Sequence, residues 1–168
     1  MFKKILSVAL LATTLFFTSC EKENINVDPP GTGSNANDGF NWSGTAPFSV
    51  FIDGVSFDVD TNTVEYDAYQ DRIVIDADGK NSMTDHRIAL MMPADATNDK
   101  VYSITSTAFI NYDDENPEEV ILAPISGKLK VVQNTSELIE GYFYCTVKNY
   151  QTGQLKTMTK GYFKVNKK

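Results

Sequence analysis

One histidine, two cysteines and one tryptophan occur among 168 residues, and these scarcities set the first limits. With His86 alone, a site built from several imidazoles is excluded by count, since zinc centres usually take several nitrogen or sulfur ligands. Cys20 and Cys145 allow at most one disulfide. Long apolar runs are scarce as well. Ile5 to Phe17 is the one extended run, and it is shorter than the ~20 residues that span a bilayer as a helix. No stretch sustains a 3.6-residue apolar period. Basic charge is also short: 15 Lys and Arg face 22 Asp and Glu, for a net charge of −7. Nucleic acid, whose phosphates demand clustered cations, is therefore not an expected partner.

What is present begins with an address. Met1-Phe2-Lys3-Lys4 supplies a charged start, Ile5 to Phe17 an apolar segment, and Thr18-Ser19 small residues before a cut. That order is the pattern of a secretory signal peptide, expected over 1–19. The next residue is Cys20, and Phe17-Thr18-Ser19-Cys20 resembles a bacterial lipobox, although Phe17 stands where Leu is usual. The resemblance implies a diacylglyceryl group on the Cys20 thiol, so the expected membrane contact is a lipid anchor; the alternative is an ordinary signal peptide cut near Ser19. Glu21-Lys22-Glu23 follows, with no Asp to resemble an inner-membrane retention signal, and the expected location is the outer membrane, facing either the periplasm or the cell surface. The mature chain then carries 13 basic and 22 acidic side chains, a balance of −9. An acylated Cys20 leaves Cys145 without a disulfide partner, so burial alone must stabilise the fold.

Residues 20–46 are dominated by Gly, Asn, Pro, Ser and Asp and read as a flexible tether with a reach of roughly 25–30 Å. Phe40 and Trp42 stand at its end, either packing on the domain edge or forming a ligand platform. From residue 47 to 168 the pattern is strands and turns. Phe48 to Ile52 and Val55 to Val59 flank Asp53-Gly54, a two-residue hairpin signal. Shorter runs follow at 64–69, 72–77, 87–92, 101–104, 107–112 and 120–122, then three long ones at 125–133, 138–148 and 154–165. Ile139, Gly141, Phe143, Cys145 and Val147 alternate onto one face, as do Leu155, Thr157, Thr159, Gly161, Phe163 and Val165. The expected fold is all-β, a single antiparallel β-sandwich or flattened barrel of about nine to ten strands behind the signal peptide and tether. Gly-Tyr-Phe occurs at 141–143 and 161–163; if the loop is symmetric about Gln151, Gly141 stands opposite Gly161 and leaves a gap for Phe48, Phe57 or Trp42, and a bulge is the simpler alternative.

The strings Gly127-Lys128-Leu129-Lys130-Val131, Ile139-Glu140-Gly141-Tyr142-Phe143 and Thr159-Lys160-Gly161-Tyr162-Phe163, with Phe48, Asp53-Gly54 and Phe57 before them, resemble the DUF6252-type lipoproteins of Bacteroidetes. The resemblance covers most of residues 48–165. It implies a sandwich-like domain behind a lipid anchor and implies no activity.

Charge is unevenly spread. Residues 20–124 hold 5 basic and 20 acidic side chains, whereas residues 125–168 hold 8 basic and 2 acidic. Alternation puts Lys128, Lys130, Tyr142, Tyr144, Lys148, Lys156, Lys160, Tyr162 and Lys164 on the outer face of the last three strands. Of these, Lys130, Tyr142, Tyr144, Lys156, Lys160 and Tyr162 are the candidate ligand contacts, because tyrosines stack on sugar rings and lysines attract anionic groups. The plainer alternative is the ordinary wet side of a sheet. No cofactor is implied. Weak calcium binding is the one metal reading, on Asp76 and Asp78 (with Gly79, Asn81 and Asp85 nearby) or on Asp113 and Asp114; the alternatives are a hairpin turn and a solvated acidic loop. Cys145 alternates onto the apolar face, away from nucleophilic use with His86, and no Ser sits in a G-x-S-x-G setting. The expected function is a non-enzymatic, lipid-anchored binding or adhesion module of the envelope, its partner a glycan or another envelope protein. The alternatives are a structural or accessory lipoprotein and, further off, a hydrolase using paired carboxylates.

Overall fold

The structure is a computed structural model, described for residues 39–83, 86–114 and 122–167, the side chains of Ser82 and Asp114 excepted. The signal peptide, Cys20 and most of the tether lie outside the described residues. So do Asp85 and residues 115–121, which take in most of the expected acidic loop (113–119) and of the expected strand at 120–122.

Among the described residues, ten strands form two antiparallel sheets. In chain order they are β1 (Phe48–Ile52), β2 (Val55–Ser56), β3 (Glu65–Ala68), β4 (Arg72–Asp78), β5 (His86–Pro93), β6 (Lys100–Ser103), β7 (Phe109–Asp114), β8 (Ala123–Asn134), β9 (Leu138–Lys148) and β10 (Leu155–Asn166). A six-stranded sheet runs β2-β1-β10-β9-β8-β6, and a four-stranded sheet runs β3-β4-β5-β7. The all-β, sandwich-like expectation holds. Period-2 alternation is the cause. In β9 every second residue from Ile139 to Val147 is buried and the residues between are half-buried.

The inner faces share one apolar core. Phe48, Leu129, Ile139, Phe143 and Phe163 from the six-stranded sheet meet Ile75, Ile88, Leu90 and Ile110 from the four-stranded one, all fully buried. Side chains of this size each contribute about 1.5–3 kcal/mol when removed from water, which fixes which face of each strand turns inward. Cys145 belongs to this core, and burial pushes its thiol up to about 12. It is a small core hydrophobe and not a nucleophile. His86 sits elsewhere, its Nδ1 2.7 Å from the Tyr112 hydroxyl.

Turn chemistry sets the registers. Asp53 and Gly54 take φ of 50° and 81°, the left-handed pair that a two-residue hairpin requires, and β1 pairs with β2 across them. Asp78-Gly79 behaves differently from the expected tight turn. The Gly79 N–H donates to the His86 carbonyl at 2.8 Å, so the ladder continues, and the chain reverses later through a 3-10 turn at Asn81–Met83.

The expected opposition of Gly141 and Gly161 is not found. Gly141 faces Phe163, and Gly161 faces Phe143. The register moves twice. The loop closes on Leu155 opposite Lys148, one residue from the symmetric arrangement about Gln151, held by Asn149 Oδ1 accepting from the Gln151 and Thr152 N–H groups at 2.9 and 3.0 Å. A bulge between Met158 and Gly161, with Lys160 at φ 54°, adds the second residue. Each glycine is therefore covered by the opposing phenylalanine: a Cβ on Gly141 would lie 2.5 Å from the Phe163 ring, and one on Gly161 2.6 Å from that of Phe143. Phe48, Phe57 and Trp42 are not needed to fill a gap there.

Candidate functional site

The six expected ligand residues all lie on the six-stranded sheet, but they do not form one open face. Lys130 pairs with Tyr142 and Lys128 with Tyr144 across β8 and β9, with their side chains turned away from the core. Tyr162 stands beside Tyr142 with ring centroids 5.2 Å apart. Lys156 departs from the expected outer set. The Lys160 bulge reverses the alternation of β10, so Met158 is buried opposite Cys145 and Lys156 lies opposite buried Val147, its Nζ 5.4 Å from the Tyr112 ring. Lys160 itself lies over the Phe51 ring at 5.5 Å.

The tyrosines are already occupied by the chain itself. Residues 39–45, assigned to the tether by composition, lie across the outer face as a strap. Phe40 is buried and packs on Tyr144, centroids 5.5 Å apart, and on Trp42 at 5.4 Å. Trp42 stands edge-on to Tyr142 at 6.0 Å and to Tyr144 at 6.3 Å. Its indole N–H donates to the Gly161 carbonyl at 3.1 Å. Gly44 lets the strap descend onto Tyr162, where a Cβ would lie 2.0 Å from the Tyr162 Cβ. Each aromatic pair contributes about 0.5–1.5 kcal/mol beyond area burial, and three of them join the strap to the sheet. Of the two readings for Phe40 and Trp42, packing against the domain is the one seen. Under the strap, the Tyr162 hydroxyl donates to Glu140 Oε1 at 2.9 Å, and Lys164 Nζ lies 3.0 Å from Glu140 Oε2. Burial, together with the neighbouring Glu140 carboxylate, raises the Tyr162 hydroxyl above its ordinary value, so it stays a donor.

The outer face of the four-stranded sheet carries a groove of about 330 Å³. Val74, Ala89 and Met91 make its floor. Tyr69 and Arg72 stand at one end, the guanidinium 5.3 Å from the ring centroid. Asn111, Asp113, Asp76 and Arg87 stand at the other. The register explains the grouping: Val74 pairs with Met91, Asp76 with Ala89, and Arg87 with both Asp78 and Asp113.

Three of the expected calcium ligands, Asp76, Asp78 and Asp113, are thus on this face, the first two in a cation's company. Arg87 Nη2 lies 2.9 Å from Asp76 Oδ1, and Nε lies 3.9 Å from Asp78 Oδ1. Burial raises the Asp76 carboxyl above its ordinary value, Arg87 pulls it back, and Asp67 and Asp78 add to the rise. Asn81 is taken up by Asp58, through its Nδ2 and Oδ2. Asp113 lines the groove, and the side chain of Asp114 lies outside the described residues. Among the described residues, no three His, Cys, Asp or Glu side chains are grouped to hold a metal ion.

The groove was missed in the sequence, Asp76 and Asp113 apart. One signal was available: Ile73-Val74-Ile75 is an unbroken apolar run inside an antiparallel strand, so one of its residues must face outward onto a surface that is not simply wet. Compared with known proteins, the chain matches no family model, no curated protein and no solved structure.

Proposed function

We propose that the chain is a non-enzymatic binding module of the cell envelope, held at the outer membrane by a lipid on Cys20, and that it takes a glycan in the groove of the four-stranded sheet. The groove itself is the observation that carries this reading: an apolar floor of Val74, Ala89 and Met91 set between Tyr69 and a cluster of amide, carboxylate and guanidinium groups. A sugar ring presents an apolar C–H face and a rim of hydroxyls. The floor and the Tyr69 ring suit the first, and Asn111, Asp113 and the Asp76–Arg87 pair suit the second. The lipobox-like Phe17-Thr18-Ser19-Cys20 and the resemblance to DUF6252-type lipoproteins support the anchored setting. The tyrosines first expected to carry ligand serve the strap in this reading.

The test is a thermal-shift screen of the protein in mild detergent against neutral and anionic oligosaccharides, calcium and EDTA. A ligand that binds the native state alone raises the melting midpoint. A glycan shift that is lost in Tyr69→Ala with Asn111→Ala, and kept in Tyr142→Ala, supports the groove. A glycan shift lost in Tyr142→Ala alone returns the site to the other face. A shift with calcium and none with glycans replaces the reading with metal binding.

A further inference from the structure

The two outer faces of the sandwich carry opposite charge. On the outer side of β8, β9 and β10 stand Lys128, Lys130, Lys148, Lys160 and Lys164 with one carboxylate, Glu140, which Lys164 and Tyr162 already engage. The outer side of β3, β4, β5 and β7 carries, among the described residues, Glu65, Asp67, Asp76, Asp78 and Asp113 against Arg72 and Arg87. The basic face also exposes apolar side chains between its lysines: Phe51 at 36 % and Leu155 at 51 %.

Gly39, the first described residue, lies beside the Tyr144 hydroxyl on this basic face, and Cys20 is 19 residues before it in the chain.

We propose that the outer face of the six-stranded sheet lies against an anionic, phosphate-bearing lipid surface, with Lys128, Lys148 and Lys160 on the headgroups and Phe51 and Leu155 at the interface, so that the four-stranded groove points away from the membrane. This deepens the anchored-module reading and rests on it. An acyl chain on Cys20 keeps the domain near the bilayer, and at that high local concentration a modest charge preference is enough to select an orientation. Both faces act in the same sense: lysines are drawn to the headgroups, and the carboxylates of the opposite face are repelled. Lysine stems also lie easily along an apolar interface while their ammonium groups reach phosphate.

The experiment uses the acylated protein in phosphatidylcholine vesicles, with and without phosphatidylglycerol, and a spin-labelled headgroup as quencher. One fluorophore is attached through Thr157→Cys on the six-stranded face and, in a second protein, through Asp67→Cys on the four-stranded face. Cys145, buried and with its thiol pushed up to about 12, does not compete for label. Intact mass spectrometry first reads the acyl group. With phosphatidylglycerol at low salt, where the screening length is ~10 Å or more, quenching at position 157 is expected to exceed that at position 67 by about fivefold or more. The difference collapses at high salt and in Lys128→Glu with Lys148→Glu. Equal quenching at the two positions in an acylated protein overturns the orientation and leaves the anchor standing, as does a difference indifferent to phosphatidylglycerol. A mature chain without acyl mass refutes the anchor, and the orientation falls with it.

Discussion

The two outer faces of this sandwich were built from similar strands and ended differently. The six-stranded face is wide, aromatic and basic, and the chain has laid its own residues 39–45 over the middle of it. The four-stranded face is narrower, acidic at its edges, and holds a groove of about 330 Å³ over an apolar floor. Tyrosines on a sheet face invite a ligand, but they invite the nearest tethered aromatic first, because its local concentration is fixed by the chain. Among the described residues no such strap lies over the groove of the four-stranded sheet.

That contrast can be broken most forcefully at the strap. Trp42→Ala removes an indole in contact with two tyrosines and a hydrogen bond to Gly161, and should lower stability by about 2–3 kcal/mol. Met91→Ala, on the groove floor, should cost about 1 kcal/mol or less, since the side chain is only half-buried. Urea unfolding at constant m-value reads both. Equal costs would mean the two faces are equally covered. Next comes Gly44→Ala. The added Cβ would meet the Tyr162 Cβ at 2.0 Å, so the strap must lift, at about 1–2 kcal/mol and with a red shift of the Trp42 emission. An unshifted spectrum would show that Gly44 is not what seats the strap.

The smallest effect is a proton. Burial raises the Asp76 carboxyl above its ordinary value of 3.8 and Arg87 opposes the rise, so Arg87→Ala should move its midpoint higher still, read by carboxyl ¹³C chemical shifts. The sign for stability follows. A carboxyl whose folded-state midpoint is raised contributes stability that is full below 3.8 and is lost as pH rises through the folded midpoint. The Arg87→Ala protein should therefore lose stability relative to the parent as pH rises from 4 toward neutrality, over a window that widens upward from 3.8. A midpoint that falls in Arg87→Ala would contradict the assigned causes.

Much of the fold was legible because alternation is a strong signal where one side of a strand is fully buried. Strands β4, β5, β8, β9 and β10 fall within a residue or two of where the apolar period places them. The failures share a cause. Bulges change the period without changing composition, so Lys160 at φ 54° turned Lys156 inward and helped offset Gly141 from Gly161. The strap was read as tether because Gly, Asn and Ser around Phe40 and Trp42 give no period, and its order comes from tertiary contacts. The groove was half visible: Asp76 and Asp113 were singled out, but Arg87, which neutralises the first and pairs in register with the second, joins them only through strand pairing across β4, β5 and β7.

In the proposed reading the open groove, and not the strapped tyrosine face, receives the ligand. The most direct measurement is a ¹H–¹⁵N and methyl NMR titration of the protein with the oligosaccharide that gives the largest thermal shift. Perturbations concentrated at Tyr69, Val74, Ala89, Met91 and Asn111 are expected, with Trp42 and Tyr142 unmoved. Perturbations that centre on Trp42, Tyr142, Tyr144 and Lys130, with the groove silent, would contradict it.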